Sequence, residues 1–204
     1  MATRTRSRST NENSESGGGG RTSSGWSGGQ AGVLAAAAVA GAAVGLAANY
    51  GRKMVVQSMT GDWQEMLEAE HDMVRALFDK LEATEDGQTW IRAHTLTKIK
   101  NALGKHALQE ENVIYPALRE ANQAHDADAL NGEHGYIKTY LYELDTMPKE
   151  GAAWLEKARE FRAMLDEHMR MEEEQVFPAF RAALSEEQSD RLTTAMQREG
   201  MKLA

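Results

Sequence analysis

Apolar side chains recur at steps of three and four residues through residues 58–204, the spacing that places them on one face of an α-helix. Four stripes result: Leu67, His71, Val74, Phe78 and Leu81; Leu96, Ile99, Leu103, His106, Glu110 and Val113; Leu130, His134, Ile137, Leu141 and Leu144; and Phe161, Leu165, His168, Glu172 and Val176. The sequence contains no sustained alternation of apolar and polar residues, which is the pattern that would predict a strand. We therefore expect an all-α fold: an antiparallel up-down-up-down bundle of four helices of about 20 to 30 residues with short connections.

Capping signals indicate where two of the helices begin. Asp62 with Glu65 predicts the N-terminal cap of the first helix. Ser185 with Gln188 predicts a cap for a short fifth helix that ends near Gly200.

The chain before residue 58 has a different composition. Residues 1–30 contain seven Gly, seven Ser and four Thr, which leave little to bury, so we expect a disordered tail. Residues 31–53 form an apolar segment rich in Ala and Gly, in which positions 31–50 carry no charge. Residues 31–50 are long enough to cross a bilayer as a helix, although ten alanines against two leucines and three valines make the drive for insertion weak.

Three interpretations of residues 31–50 stay open. The segment is a membrane anchor, in which Gly41 and Gly45 let two helices approach closely, or it is a soluble helix that self-associates. The third interpretation is a cleaved signal peptide. Basic residues flank both sides, so the orientation in a membrane is not indicated; without an anchor, we expect a cytoplasmic protein.

Charge and cysteine content restrict the function. The chain carries −8 overall and residues 1–53 carry +4, so residues 54–204 carry −12. A domain this acidic is a poor nucleic-acid binder, because phosphate contacts need a basic face. The chain has no Cys, which excludes disulfides, thiolate metal sites and a cysteine nucleophile. Any metal must be held by His, Asp or Glu.

An internal repeat organises the histidines. The segment His106–Arg119 has the same pattern as His168–Arg181: each begins with His-x-x-x-Glu-Glu and continues to an aromatic residue, Pro and Ala. Glu70-His71 recurs as Glu133-His134 at nearly the same offset along the chain. The domain is therefore two helical hairpins of one design, and pseudo-twofold pairing would bring four His and two Glu together inside the bundle.

Two further histidines do not lie on the stripes. At about 100° per residue, His94 lies roughly 120° around its helix from His106. His125 lies about 180° from His134 by the same arithmetic. We expect both on the surface.

The other six residues predict a metal site. His-x-x-x-Glu places both side chains on one helix face, one turn apart, where they can reach a common ion. Burying an unpaired carboxylate costs several kcal/mol and each unpaired imidazole roughly 1 to 3 kcal/mol, whereas a domain of this size has only about 5 to 15 kcal/mol of stability. A compensating cation is therefore expected at His71, His106, Glu110, His134, His168 and Glu172.

The ligand types narrow the choice of metal. Imidazole with carboxylate suits iron, manganese or zinc, whereas calcium and magnesium prefer oxygen ligands. Two bridging Glu and two His for each of two ions leave open positions, while zinc usually stops at one tetrahedral site. The pattern favours two iron ions.

These motifs, with Tyr115-Pro116 and Phe177-Pro178 after the paired ligands, resemble the hemerythrin-like (HHE cation-binding) family over roughly residues 60–182. The resemblance implies an antiparallel four-helix bundle with an oxo- or hydroxo-bridged non-haem di-iron centre. It implies the four histidines as terminal ligands, and Glu110 and Glu172 as bridging carboxylates. Members of the family bind dioxygen or nitric oxide, sense oxygen or iron, or help repair iron centres.

The chain departs from the oxygen-carrying members at two positions. They have a further His one turn before the third-helix ligand, where this chain has Leu130, and they use Asp in the last helix, where it has Glu172. With one imidazole fewer, a more open, reactive or sensing site is expected in place of reversible oxygen carriage.

Several neighbouring residues have ordinary structural interpretations. Glu111 and Glu173 are expected to be solvated or to hydrogen-bond to the ligands, and Tyr115 and Phe177 to pack at the hairpin ends. Met164, Met169 and Met171 are expected to fill the core. One of Tyr136, Tyr140 and Tyr142 could reach the site. Pro116 and Pro178 should each remove a backbone hydrogen bond and bend the helix.

Two functions compete. The first is a binding module that takes up dioxygen or nitric oxide for sensing, storage or stress response; no acid–base pair stands apart from the metal ligands, so no separate catalytic residue is predicted. The second is a di-iron enzyme: a peroxidase, an oxidase, or a protein that handles nitric oxide or repairs iron centres. A third, structural role has the metal only stabilise the bundle.

Overall fold

The computed structural model describes residues 61–203, and every regular element within this range is helical. The helices are α1 (Trp63–Glu82), α2 (Thr89–Gln109), α3 (Tyr115–Glu120), α4 (Ala124–Thr146), α5 (Ala152–Met171), α6 (Phe177–Ala183) and α7 (Glu186–Gly200), followed by a 3₁₀ turn, Met201–Leu203. Two π-helical turns, Glu110–Ile114 and Glu172–Val176, continue α2 into α3 and α5 into α6. The all-α prediction is confirmed for the described residues.

The tail and the apolar segment lie outside the described residues. The boundaries at residues 30, 53 and 58 and the three interpretations of residues 31–50 therefore stay predictions. Within residues 61–203, no helix combines the length and the hydropathy that a membrane span requires.

Both predicted caps are confirmed. The Asp62 carboxylate accepts hydrogen bonds from the backbone N–H groups of Gln64 and Glu65, and the Glu65 side chain accepts one from the Asp62 N–H. Ser185 and Gln188 form the same reciprocal box at the start of α7. Each such cap stabilises its helix by about 1 kcal/mol.

The buried apolar side chains form two clusters with a polar layer between them. The first apolar cluster includes Val74, Phe78, Leu103, Ile137, Trp154, Phe161 and Leu165. The second apolar cluster includes Trp63, Leu67, Ile114, Tyr115, Leu130, Val176, Phe177 and Met196. Each of α1, α2, α4 and α5, with the π turns that extend two of them, passes from one cluster to the other. The predicted histidines and glutamates lie where they cross.

The stripes are buried nearly as predicted. Val113 and Leu141 are only half-buried, and Ile114 takes the buried position beside Val113. The π turn explains this shift, since it delays the rotation of the helix by about one residue.

Both prolines follow a π turn. The backbone N–H of Tyr115 donates to the carbonyl of Glu110, five residues back, and that of Phe177 donates to the carbonyl of Glu172. Pro116 and Pro178 then stand in the first turn of α3 and α6, where a missing N–H is tolerated. The interruption expected at the prolines thus takes the form of a wide turn just before each of them.

Candidate metal centre

The structure brings all six predicted site residues together. Each of α1, α2, α4 and α5 supplies one histidine, and each π turn begins with a glutamate. Their ligand atoms form two groups, each lying within 4.8 Å: His71, His106, Glu110 and Glu172; and Glu110, His134 and His168. All six side chains are buried, with Glu110 and Glu172 fully so. His94 and His125 are exposed, as predicted.

The distances between ligand atoms suit coordination. In the first group, the His71 Nε2 atom lies 3.0 Å from His106 Nε2 and 3.4 Å from Glu172 Oε2. Glu110 Oε2 lies 3.2 Å from His106 Nε2 and 3.3 Å from His134 Nε2. Two atoms that are each about 2.1 Å from one ion, at an angle of about 90–110°, lie about 3.0–3.4 Å apart. The cluster is thus sized for transition-metal ions.

A carboxylate outside the cluster accepts a hydrogen bond from the Nδ1 atom of each histidine. The pairs are Glu173–His71 at 2.7 Å, Glu70–His106 at 3.1 Å, Glu111–His134 at 2.9 Å and Glu133–His168 at 2.6 Å. A neutral imidazole carries one proton, so donation from Nδ1 leaves the Nε2 lone pair free to face the centre. Metal-binding histidines are held in this way.

This set of carboxylates corrects the expectations from sequence. Of the two roles left open for Glu111 and Glu173, the structure shows hydrogen bonding to the histidines. Glu70 and Glu133 were not singled out, although the repeat places each directly before a histidine. Their partners are histidines on the next helix, which helical periodicity alone does not reveal.

Tyr115 packs in the second apolar cluster as predicted, but its contact with the centre was missed. Its hydroxyl lies 3.0 Å from His134 Nε2 and donates to Glu172 Oε1 at 3.2 Å. In a regular α-helix, five residues separate Tyr115 from Glu110 by roughly 140°, and the extra residue of the π turn reduces this to roughly 40°. The π turn therefore directs the phenol to the centre.

The tyrosines of α4 do not reach the centre. Tyr136 and Tyr142 are exposed, and Tyr140 stacks on Phe161 at 5.2 Å. Phe177, the counterpart of Tyr115 in the repeat, packs against Trp63 and lies parallel to the His71 ring at 6.3 Å, so its packing role is confirmed.

The apolar surroundings agree with the other expectations. The Met169 side chain is buried in the first apolar cluster and Met164 packs against that cluster, whereas Met171 packs against the second. Leu130 is fully buried in the second apolar cluster.

His106 and Glu110 hold one another in their charged forms. Burial lowers the pKa of His106, but the Glu110 carboxylate outweighs burial and raises it well above its usual value. Burial raises the pKa of Glu110, yet the His106 imidazole keeps it well below its usual range. Burial, with the negative charges of Glu110 and Glu172, raises the pKa of Tyr115 well above its usual value. The metal-free centre therefore holds protons that a metal ion would displace.

Protein groups alone do not satisfy this centre. Among the described residues, both oxygens of Glu110, Oε2 of Glu172 and Nε2 of His168 are buried without a hydrogen-bond partner. Each unsatisfied atom of this kind costs about 1–3 kcal/mol, and more when charged. A cation surrounded by these atoms removes that cost. Two carboxylates and four imidazole lone pairs therefore fit a metal centre.

A small cavity adjoins the four histidines. Its volume is about 20 Å³, and its other walls are Val74, Leu103, Ala107, Ile137, Leu165 and Met169. A water molecule needs about 10–15 Å³, so the cavity accommodates one molecule of that size. The centre thus faces a small, largely apolar space with room for one water-sized molecule.

Comparisons with known proteins agree with this geometry. The model of the hemerythrin HHE cation binding domain family matches residues 64–180. The crystal structure of an HHE cation binding domain-containing protein from Mycobacterium kansasii is similar, with a TM-score of 0.62 and 20% identity over 71% of this chain and 88% of that one. At that identity, the likeness shows the fold alone.

A DNA nickase of a Nostoc species is 28% identical over 131 residues, which are 64% of this chain and 37% of the nickase. The chain therefore spans little more than a third of the length of that relative. The family match, by contrast, covers more than half of the chain, together with all six predicted site residues. The chain belongs to the hemerythrin HHE cation-binding domain family.

Proposed function

We propose that this chain is a non-haem di-iron protein built on an antiparallel up-down-up-down four-helix bundle. The bundle topology is supported by the order in which the helices meet the two apolar clusters: α1 and α4 start at the second, α2 and α5 at the first. In this proposal, His71, His106, His134 and His168 are terminal ligands, and Glu110 and Glu172 bridge two ions.

One observation carries the proposal. Every Nδ1 atom of the four histidines faces a carboxylate, so all four Nε2 lone pairs converge on two buried glutamates. Lone pairs that point at one another and at carboxylates repel, so protons stand between them in the metal-free chain and metal cations would displace those protons. Two groups of ligand atoms that share Glu110 favour two ions over one. Iron fits the mixture of imidazole and carboxylate best.

We propose a small ligand, dioxygen or nitric oxide, for the cavity beside the histidines. Bound iron would supply reversible ligand binding and one-electron redox chemistry. The protein's own part is to exclude bulk water with apolar walls, such as Leu103 and Ile137, and to admit one small molecule. Tyr115 holds a proton on its hydroxyl at the opposite side, facing Glu172.

A binding role in sensing, storage or stress response is favoured over catalysis. The cavity has room for one water-sized molecule, too little for an organic substrate beside the metal. The alternative is a di-iron enzyme: a peroxidase, an oxidase, or a protein that handles nitric oxide or repairs iron centres. The hydroxyl proton that Tyr115 donates to Glu172 would serve such chemistry.

Absorption spectra of the ferrous protein separate these functions. A binding protein should show a change on addition of dioxygen that reverses when dioxygen is removed. Steady consumption of peroxide or nitric oxide would support the enzyme instead. If chelation melts the helices and no spectrum responds to ligands, the metal only stabilises the bundle.

We propose no DNA contact for the folded domain, although one relative is a DNA nickase. Residues 54–204 carry −12, and the match covers 37% of that relative. A mobility-shift assay that detects DNA binding at physiological salt would overturn this.

We propose that residues 31–50 mediate either membrane association or self-association. Comparing the full chain with a protein that begins at Met54 distinguishes the two: vesicle flotation reports membrane association, and sedimentation reports self-association.

A further inference from the structure

The four carboxylates outside the metal cluster differ in the cations they meet. Glu173 accepts a two-pronged contact from Arg75, at 2.9 and 3.0 Å, and Glu70 accepts from Lys105 at 2.6 Å. These two carboxylates hold His71 and His106, the histidines of the first ligand group. Glu173 and Glu70, the outer carboxylates behind the first ligand group, are therefore each neutralised by a partly buried cation.

Glu111 and Glu133, the outer carboxylates behind the second ligand group, are less neutralised. Glu111 meets Lys138 at 3.0 Å, but the Lys138 side chain is 64% exposed, so water and salt screen its charge. Glu133, which holds His168 at 2.6 Å, has no Lys or Arg within 4.0 Å among residues 61–203. The surroundings of His134 and His168 are thus more negative than those of His71 and His106.

The sequence itself breaks the symmetry of the repeat. Arg75 corresponds to Lys138, so both hairpins supply a cation at that position. Lys105 corresponds to Glu167, so the second hairpin has an acid where the first has a base. Lys105 is also confined by α7, because a Cβ atom at Gly200 would lie 2.9 Å from its Cε atom.

We infer that the two ion positions are unequal: the position at His134 and His168 would take the first cation. The inference rests on the two-ion centre proposed above. A carboxylate without a counter-ion leaves more negative charge on the imidazole it accepts from, which makes that imidazole a stronger ligand. A cation on the carboxylate withdraws that charge.

The test is a titration of the metal-free full chain with Zn²⁺. Calorimetry measures the binding steps, and the ¹⁵N chemical shifts of the histidine rings show which histidines bind in each step. Zn²⁺ is diamagnetic and has no redox chemistry, so it reports affinity alone. We expect two steps that differ by about tenfold or more, with the His134 and His168 Nε2 signals moving first. Total binding below two equivalents would contradict the two-ion centre itself.

A matched pair of variants isolates the charge. Glu133→Gln keeps an acceptor for His168 but removes the negative charge, and should weaken the first step about tenfold so that the two steps merge. Glu187→Gln removes an exposed carboxylate of α7 that pairs only with Arg191, and should leave both steps unchanged. Two equivalents that bind equally in the wild-type chain, His71 and His106 responding first, or the same titration from both variants would overturn the inference.

Discussion

Removal of the Glu173 charge tests whether the outer carboxylates, which accept hydrogen bonds from the four histidines, support metal binding. Glu173 accepts from His71 Nδ1 at 2.7 Å and from both terminal nitrogens of Arg75. Burial raises its pKa, but His71 and Arg75 outweigh burial and lower it to about 2. Glu173→Gln keeps the size and one acceptor oxygen, and removes the charge that makes His71 a strong ligand.

The expected loss follows from the position of Glu173 behind one ligand. Outer partners of metal-binding histidines contribute about 10- to 100-fold to affinity, which is about 1.4–2.7 kcal/mol. A ligand that binds only the folded state stabilises it in proportion to the logarithm of its affinity, so the metal-induced stabilisation should fall by the same amount. At about 3 °C per kcal/mol, the metal-induced rise in Tm should shrink by roughly 4 to 8 °C.

The assay is thermal unfolding of each protein with and without bound iron under anaerobic conditions. Glu173→Gln also weakens the contact with Arg75, and this lowers Tm both with and without iron. The difference in Tm between the iron-bound and iron-free protein therefore cancels that effect. Glu174→Gln is the control, because Glu174 is the next residue, is 61% exposed and contacts only Arg170. The same metal-induced rise in the wild-type chain, Glu173→Gln and Glu174→Gln would refute the role of the outer carboxylates.

Three further predictions concern other parts of the centre. Tyr115→Phe should retain two iron ions per chain, because the hydroxyl contacts His134 and Glu172 but is not one of the six proposed ligands; loss of a whole ion would make the phenol a required ligand. Gly200→Ala should displace Lys105 from Glu70, leave more negative charge on His106 and so strengthen the weaker metal-binding step by less than tenfold. Gly132→Ala, at a position that faces open space, should leave the affinity measured by calorimetry unchanged and stabilise the helix by up to about 1 kcal/mol. The pKa values of His71, His106 and His134 are raised above 6.5 in the metal-free protein, so the stability that these histidines contribute is full below pH 6.5 and is lost as the pH rises through their folded-state pKa values. Metal binding needs deprotonated histidines, so the metal-induced rise in Tm should grow over the same range, and parallel pH profiles of Tm with and without metal would contradict this.

The sequence predicts the helices and the six clustered residues because both depend on local spacing. Asp62 and Ser185 cap helices through residues three positions away, and His106 reaches Glu110 within one turn. The repeat then indicates that two such sets face each other. Information of this kind lies within a few residues of each position.

The missed features depend on contacts between helices or on an irregular turn. Tyr115 reaches the centre only because a π turn interrupts α-helical periodicity, and Pro116 is the local signal that could have indicated it. Arg92 was also missed: it extends the apolar stripe one turn before Leu96 and is fully buried, where it donates to the carbonyls of Lys149 and Gly151. The sequence around Arg92 does not predict its partners, because both carbonyls belong to a loop more than 50 residues away in the sequence.

The central claim is that four histidines and two glutamates hold a pair of iron ions. Iron content per chain after anaerobic reconstitution tests it most directly. The wild-type chain, His94→Ala and His125→Ala should each contain two ions, whereas Glu110→Ala and His168→Ala should contain clearly fewer while retaining the helical circular dichroism of the metal-free wild type. Equal iron content in all four variants, or no iron in the reconstituted wild type, would contradict the account.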